Sequence, residues 1–279
     1  MIPKGAWPAP AKLNLMLRVV GRRNDGYHRL QTVFQFIDLA DSLYIDVHDD
    51  GTVRRIGGPA GVDEDDDLVV RAARLLQHAT GSRLGARVRL DKQIPVGAGL
   101  GGGSSDAATT LVALNHLWRC GLDARRLAQL GLQLGADVPI FVHGRAAWAE
   151  GVGETLTDVD LPTPVYLVLK PPVHVSTGKV FQDPELTRNS HRITIRDFLG
   201  GERGNDCLAV VRKRYPDVAH AFDWLDRHAP ARLTGTGACV FAEIRSRTDA
   251  EVLLTQLPAG VEGFVTQGVN RSPLLDGPR

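Results

Sequence analysis

Five glycines stand among the seven residues 97–103 of this chain, and no other segment restricts the possible folds so strongly. Glycine loses more backbone freedom on folding than any other residue, so such a cluster indicates that the backbone must approach another group closely. Residues 86–90 before it have the pattern of a strand, and residues 104–118 after it have helical spacing of apolar side chains. A glycine loop that opens a helix presents free N–H groups and a positive dipole end, which predicts a phosphate site.

The chemistry of this loop separates it from two other phosphate-binding patterns. No lysine follows the glycines, so the pattern G-x-x-x-x-G-K-[ST] is absent. Gly97, Gly99 and Gly102 satisfy G-x-G-x-x-G, but a second helix at residues 124–134 follows the first instead of a parallel strand. A dinucleotide-dependent oxidoreductase is therefore disfavoured. We expect Ser104, Ser105 and Asp106 to cap the helix, and the two serine hydroxyls to reach phosphate oxygens.

The composition excludes several classes of function. Lys and Arg number 33 against 32 Asp and Glu, so the chain lacks the basic excess typical of a nucleic-acid binder. No apolar run approaches the roughly 18 residues of a membrane span, and residues 1–12 lack the apolar core of a signal peptide. Three widely spaced cysteines fit neither a disulfide framework nor a zinc site. We expect a cytoplasmic protein with reduced thiols and no nucleic-acid or membrane partner.

Strand and helix patterns alternate along the whole chain, which predicts an α+β fold. In the first half, strands are expected at residues 13–19, 33–39, 42–47 and 86–90, and helices at residues 68–79, 104–118 and 124–134. In the second half, strands at 165–170, 239–244 and 263–269 accompany helices at 208–215, 218–228 and 249–257. Prolines cluster around residue 162. We therefore predict two domains, residues 1–158 and 159–279.

The glycine loop resembles the signature P-x-x-x-G-L-G-S/G-S/G-S-A/S of the GHMP kinases. Residues 8–17, 23–39, 135–142, 150–154 and 232–241 extend the resemblance to nearly the whole chain. Within this superfamily they are similar to the kinases that phosphorylate the 2-hydroxyl of 4-diphosphocytidyl-2-C-methyl-D-erythritol, in the methylerythritol phosphate route to isoprenoid precursors. The resemblance implies a domain like domain 2 of ribosomal protein S5, a ferredoxin-like second domain, and an active site between them.

The resemblance also implies which residues bind ATP and which catalyse phosphate transfer. ATP is the expected donor, with Mg²⁺ to neutralise its charge. The ATP-binding residues would be those of the loop, namely Pro95, Val96, Gly97, Ala98, Gly99, Leu100, Gly101, Gly102, Gly103, Ser104 and Ser105. Asp137 would be the general base, held on an extended turn before Pro139, although such a residue alone could equally be an exposed loop carboxylate. Lys12 would stand beside it and neutralise developing charge.

For the cytidine-diphosphate substrate, the resemblance implies an aromatic pocket. Cytosine would stack between Tyr27 and Phe181, and His28 would hydrogen-bond its edge. Asn14, Phe34 and Thr177 would border the substrate. Phe34 or Phe181 alone could equally be a core residue.

Two further segments carry weaker expectations. The second glycine turn, residues 234–238, is expected to support the first loop. The acidic residues 63–67 are expected to be solvated, and Asp67 stands where the resembling kinases often have an asparagine beside adenine.

Three alternatives remain at this point. Another GHMP enzyme, such as a mevalonate-pathway kinase, a homoserine kinase or a diphosphomevalonate decarboxylase, would share the loop but use another acceptor. A regulatory protein that binds a nucleotide without catalysis would share the fold, although Lys12 and Asp137 argue against it. The oxidoreductase stays the least favoured.

Overall fold

A computed structural model describes residues 4–24, 26–57 and 63–278 of the chain. Asp25, part of the segment 23–39 that carries the resemblance, lies outside the described residues. The strands of the first half are β1 (Trp7–Arg22), β2 (His28–His48), β3 (Val53–Gly57), β4 (Gly85–Asp91), β5 (Ala147–Gly151) and β6 (Thr155–Asp158). Its helices are α1 (Leu68–Thr80), α2 (Gly102–Leu117), α3 (Ala124–Leu134) and α4 (Val138–His143).

The second half begins with β7 (Val165–Lys170). It continues with α5 (Thr177–Gln182), α6 (Ile195–Leu199), α7 (Leu208–Arg214), α8 (Pro216–Asp226), β8 (Arg232–Leu233), β9 (Val240–Ile244), α9 (Arg247–Leu254) and β10 (Glu262–Val269). Its antiparallel sheet has the order β10-β7-β9-β8. This is the β-α-β-β-α-β arrangement of a ferredoxin-like unit, with several helices in the first crossover.

A long antiparallel hairpin of β1 and β2 forms the centre of the first half. The two strands expected at residues 33–39 and 42–47 are one continuous strand, because Ala40 and Asp41 stay paired with β1. Register shifts interrupt the β1–β2 ladder on both sides of the segment that holds Lys12 and Asn14. Such irregularities bend a strand and redirect its side chains, and they are frequent beside active sites.

One sheet path joins both halves of the molecule. The central strand β2 pairs with β10 at Gly268↔Ile37 and Val269↔Phe36, and the path continues into β7, β9 and β8. Helices α1 to α4 pack over one apolar cluster, and the second-half helices pack over another. A third cluster lies where the halves meet. The division at residues 158 and 159 stays a prediction.

Two local expectations about helix starts are wrong. Helix α2 begins at Gly102 with Gly101 as its N-cap, and no side chain caps it, so Ser104, Ser105 and Asp106 lie inside the helix. Asp137 is not on an extended turn: it has helical dihedrals and precedes α4, whose first turn contains Pro139. Proline is tolerated there because the first N–H groups of a helix have no intrahelical acceptor.

Within the part of the chain that the structure describes, no helix combines the length and apolar character needed to cross a membrane.

Candidate active site

The glycine loop has a folded shape that larger residues would not allow. Gly97, Gly99 and Gly101 all have left-handed φ angles, of 68°, 77° and 75°. A Cβ on Gly101 would lie 2.6 Å from the Phe141 ring and 3.1 Å from Cε of Lys12. A Cβ on Gly99 would lie 2.5 Å from the carbonyl oxygen of Thr234. The loop is therefore held between β1, α4 and the second glycine turn.

Helix α2 turns its N-terminus toward the cavity beside this loop. The first N–H groups of a helix lack an internal acceptor, and here no side chain satisfies them. Ser104, in the first turn, lines the cavity, whereas Ser105 is fully buried and does not. Each residue of an α-helix is rotated by about 100° from the previous one, which explains why adjacent serines differ. The arrangement leaves backbone donors free for an anion.

Lys12 is a buried cation on β1 with three polar neighbours. Its Nζ donates to Oδ1 of Asn14 at 2.5 Å and to the carbonyl oxygen of Gly99 at 3.0 Å. It also lies 3.3 Å from Oδ2 of Asp137, although the two residues are far apart in sequence. The Phe34 ring is 5.5 Å from the same nitrogen, within range of a cation–π contact. The lysine therefore links the glycine loop to the carboxylate.

Asp137 and Asn14 both line the cavity and both contact Lys12. The Asp137 carboxylate is partly exposed, so an incoming hydroxyl can reach it. Asn14 Nδ2 donates to Thr32 Oγ1 at 2.9 Å, and Thr32 donates in turn to the carbonyl oxygen of Met16 at 2.5 Å. This chain of hydrogen bonds fixes the Asn14 amide with its oxygen toward Lys12.

The second glycine turn lies against the first loop. Thr234 Oγ1 donates to the carbonyl oxygen of Gly99 at 3.2 Å, and the Cys239 N–H donates to that of Ala98 at 3.1 Å. These bonds fit the expected supporting role. Thr236 lines the cavity and its Oγ1 is 2.9 Å from that of Thr177.

A single cavity of about 550 Å³ collects most of the expected site residues. Those expected residues that line it are Lys12, Asn14, Phe34, Pro95, Val96, Gly97, Ala98, Gly99, Leu100, Gly101, Gly102, Gly103, Ser104, Asp137, Thr177 and Phe181. Tyr27, His28 and Ser105 are not among the lining residues. The structure thus brings the loop, the Lys12–Asp137 pair and one side of the expected cytosine pocket together.

The expected aromatic sandwich has a different arrangement here. Phe181 stacks on His28, with ring centroids 5.1 Å apart and planes inclined by 22°, and the Tyr27 side chain is 62% exposed. Arg188 explains the arrangement, because its Nε donates to Nε2 of His28 at 3.1 Å and its Nη2 donates to the carbonyl oxygen of Phe181 at 2.9 Å. The pKa of His28 is lowered below its usual value, mainly because the ring is partly buried and further because the positive charges of Arg188 and Arg22 disfavour its protonation.

Beneath the loop lies a buried charge network that no sequence motif indicated. Lys92 Nζ donates to Oδ2 of Asp41 at 2.5 Å and to Oδ2 of Asp106 at 2.8 Å. Burial lowers the pKa of Lys92, but the charges of Asp106 and Asp41 outweigh it and the net pKa is raised. Burial raises the pKa of Asp106, whose Oδ1 has no hydrogen-bond partner. Lys92 and Asp106 both line the cavity.

Asp67 is a structural residue as well as a cavity residue, so the expectation of a solvated segment is wrong at this position, whereas Asp63, Asp65 and Asp66 are exposed as expected. It is buried, it is the N-cap of α1 with its side chain accepting from the Val69 N–H, and it lies 3.3 Å from Nε of Arg55. It also lines the cavity next to Leu68. The apolar run that begins at Leu68 directly after an aspartate was a capping signal present in the sequence.

The other residues missed at the sequence level carried weaker signals. Thr32 lies within the resembling segment 23–39 but was not singled out there, and Arg188 belongs to no motif; only the fold brings them to Asn14 and His28. Lys92 stands three residues before Pro95, so its closeness to the loop could have been anticipated, but its two carboxylate partners could not.

The geometry supports phosphate transfer to a hydroxyl group. The loop and the α2 N-terminus offer an anion cradle, Lys12 offers a fixed positive charge beside it, and Asp137 offers an acceptor for a proton. Such positioning and charge stabilisation are what phosphoryl transfer requires of a protein.

Comparison with known families finds one matching family model in each half of the chain. The GHMP kinases N terminal domain matches residues 67–145, which include the glycine loop and Asp137, and the GHMP kinases C terminal domain matches residues 189–263.

Solved structures are similar over almost the entire chain. A 4-(cytidine 5'-diphospho)-2C-methyl-D-erythritol kinase is 34% identical, with 94% of this chain and 98% of that chain covered and a TM-score of 0.80. The homoserine kinase from Cytophaga hutchinsonii is 17% identical, with coverages of 98% and 97% and a TM-score of 0.69. The mevalonate kinase of Methanococcus jannaschii is 15% identical, with coverages of 96% and 99% and a TM-score of 0.67. At these identities the last two share the fold alone.

Proposed function

The chain belongs to the GHMP kinase family, and from that premise we propose that it phosphorylates the 2-hydroxyl of 4-diphosphocytidyl-2-C-methyl-D-erythritol. Kinases of this family use ATP as the phosphate donor, and this chain is an ATP-dependent kinase. The observation that carries the catalytic proposal is the contact of 3.3 Å between Lys12 and Asp137 beside the glycine loop. The acceptor is proposed from the 34% identity to a kinase of that name.

In the proposed reaction, Asp137 receives the proton of the acceptor hydroxyl. The hydroxyl oxygen then forms a bond to the γ-phosphorus of ATP, the bond from that phosphorus to the β–γ bridging oxygen breaks, and ADP leaves. Lys12 stabilises the negative charge on the transferred group, and its positive charge lowers the pKa of the acceptor hydroxyl. Asn14 fixes the lysine in place, because its amide oxygen accepts a hydrogen bond from Nζ.

The triphosphate would lie along residues 95–104, with its phosphates at the N-terminus of α2, whereas the fully buried Ser105 would not contact it. Mg²⁺ would supply further charge neutralisation there. A magnesium ion needs only one or two protein carboxylates, because phosphate oxygens and water complete its coordination. Asp106 fits that requirement, since it lines the cavity and its buried Oδ1 has no partner.

The cytidyl end of the substrate would occupy the side of the cavity lined by Phe34, Thr177 and Phe181. For cytosine to stack between Tyr27 and Phe181, His28 must leave the Phe181 ring, on which it stacks here. Binding would then exchange one aromatic stack for another, and His28 would be free to hydrogen-bond the base edge. This rearrangement is part of the proposal.

The wider context of the protein is proposed on the same basis. We place the reaction in the isoprenoid-precursor route in which the relative's substrate occurs, and we place the protein in the cytoplasm. Two of its cysteines, Cys207 and Cys239, are buried free thiols, in agreement with a reducing compartment.

The test is a substrate panel with ADP release as the readout. The purified protein is given ATP, Mg²⁺ and one of three acceptors: 4-diphosphocytidyl-2-C-methyl-D-erythritol, mevalonate or homoserine. We expect the highest kcat/KM with the cytidyl substrate. Comparable turnover of mevalonate or homoserine would leave the family assignment and remove the cytidine assignment. No turnover with any of the three acceptors would mean that the kinase acts on an acceptor outside this panel.

A further inference from the structure

A second cavity, of about 560 Å³, lies at the turn of the β1–β2 hairpin and is rich in arginine. Its lining residues are Arg22, Arg23, Asn24, Arg29, Gly151 and Arg192. Four of these six residues carry a permanent positive charge, because arginine stays protonated in proteins. Among the described residues, no carboxylate lines it. We call it the arginine cavity.

The arginine cavity lies across the strands from the active site. On β2, Leu30 lines the active-site cavity and the adjacent Arg29 lines the arginine cavity. At the end of β5, Gly151 lines the arginine cavity, and the next residue, Val152, lines the active-site cavity. Successive residues of a strand point to opposite faces, so the side chains of Arg29 and Leu30 face different sides of the sheet. The substrate proposed above does not account for this second set of charges.

The charge argument for the arginine cavity concerns two of its four arginines, Arg22 and Arg29. Arg192 lies 3.0 Å from Oε1 of Glu150, which also accepts from Gln31 Nε2 at 3.0 Å. Arg22 and Arg29 form no ion pair within the described ranges 4–24, 26–57 and 63–278. Like charges that converge on one concave surface repel one another, and a bound anion removes that repulsion.

We propose that the arginine cavity binds a compact small molecule with two phosphoryl groups, and that this site is separate from the active site. A guanidinium group offers two parallel N–H donors that fit two phosphate oxygens, whereas a lysine ammonium group acts as a single point charge. The cavity volume lies within the range of small-molecule sites. A nucleic-acid partner is disfavoured because the overall charge is only +1 and the arginines surround a concavity rather than forming a stripe.

The probe for this site is methylenediphosphonate, a stable diphosphate analogue, titrated by calorimetry. The active-site loop also attracts phosphates, so a non-hydrolysable ATP analogue is kept at saturation throughout. The test variant is Arg22→Gln/Arg29→Gln. The matched control is Arg83→Gln/Arg125→Gln, which removes the same charge from exposed positions outside both cavities. Circular dichroism verifies that both variants are folded.

We expect the dissociation constant for methylenediphosphonate to rise at least about tenfold in the test variant and less than about twofold in the control. Inorganic phosphate should bind the wild-type protein at least about tenfold more weakly than the diphosphonate, because it reaches fewer guanidinium groups.

Several outcomes would overturn the proposal. Equal affinity in the test and control variants would mean that Arg22 and Arg29 do not form the site. If the diphosphonate does not bind at nucleotide saturation but binds when the ATP analogue is omitted, it would be assigned to the active-site loop. Tighter binding of a single-stranded oligonucleotide would indicate a nucleic-acid surface instead. None of these measurements uses turnover, so the result is independent of the proposed kinase substrate.

Discussion

At the scale of single residues, Lys12 demonstrates how the fold holds a charge almost out of water. Only 2% of the residue is exposed. A buried cation is tolerated when it is hydrogen-bonded and paired with a negative charge. The Lys12 ammonium donates hydrogen bonds to Asn14 and Gly99 and forms an ion pair with Asp137. A charge fixed in this way needs no reorganisation when a phosphoryl group arrives, which is the condition for effective electrostatic catalysis.

Asp137→Asn should separate catalysis from binding. The amide keeps the shape of the side chain but accepts a proton poorly, so we expect kcat to fall by about 10²–10⁴-fold while ATP affinity stays nearly unchanged. Steady-state kinetics and nucleotide calorimetry measure the two quantities. Asp49→Asn, an exposed aspartate outside the cavity, is the control and should retain activity. Retention of activity in Asp137→Asn would remove the base assignment.

His28 gives a prediction about pH. Its pKa is lowered by burial, by Arg188 and by Arg22, so Arg188→Met should raise it toward 6.5. NMR titration of the ring protons measures this, with Arg227→Met as an exposed control. Because the pKa is depressed in the folded state, the neutral ring stabilises the fold above about pH 6.5, and this stability is lost as pH falls toward the folded-state pKa.

His28→Ala should therefore make the unfolding free energy less sensitive to acid below pH 6.5, as denaturant titrations at several pH values would measure. An unchanged pKa in Arg188→Met would mean that the arginine does not act on the imidazole.

Some contacts of single residues could be predicted from the sequence, and others could not. Motif resemblance selected Lys12 and Asp137, and the structure places them in contact, but their catalytic roles stay predictions. The stack of His28 on Phe181 was not foreseen, because it depends on Arg188, which is 160 positions from His28 and belongs to no motif. Contacts of this kind follow from topology rather than from local pattern.

At the scale of elements, the glycine loop is defined by backbone angles and by close neighbours together. Gly101→Val should weaken ATP binding by at least about tenfold, because the side chain would clash with Phe141 and strain a left-handed residue. Nucleotide calorimetry provides the measurement. Gly121→Val is a sharp control: Gly121 has a φ of 71°, but a Cβ there would meet nothing within 4 Å, so it isolates backbone strain from the clash. Equal ATP affinity in both variants would contradict a specific role for Gly101.

The charge network of Lys92 joins three elements, because Asp41 lies in β2, Lys92 follows β4 and Asp106 lies in α2. Lys92→Met would leave two buried carboxylates without a counter-charge, which typically destabilises a protein by about 3–5 kcal/mol. Denaturant titration should detect the loss. Adding Asp106→Asn to Lys92→Met should recover part of it, since one buried charge is removed. If the two changes are additive instead, the residues are not coupled.

The positions of most elements were predictable from the sequence, whereas the starts of two helices, α2 and α4, were not. The spacing of apolar residues located α1, α3 and β4 within a residue or two of their observed bounds. Helix α2 begins two residues earlier than expected. The expectation placed the start at the serines because serine is a common N-cap residue, but here Gly101 is the N-cap, in a left-handed conformation that glycine tolerates. The start of α4 was missed because the rule about residues before proline does not apply in a first helical turn.

At the scale of the whole molecule, strand β1 passes through all three apolar clusters. Trp7 belongs to the first-half cluster, Leu13 to the cluster between the halves, and Val19 to the second-half cluster. The resemblance correctly implied the α+β fold and its ferredoxin-like part. No local pattern revealed that β2 and β10 would pair and unite the two halves, because that pairing joins segments more than two hundred residues apart.

The pairing of β2 with β10 has a consequence for the order in which the protein is made. Strand β2 is synthesised more than two hundred residues before β10, which covers part of its edge and also pairs with β7. Until then the growing chain carries unpaired strand edges, which are templates for association with other chains. A stop before residue 262 would therefore release a chain whose helices can form but whose central sheet lacks β10.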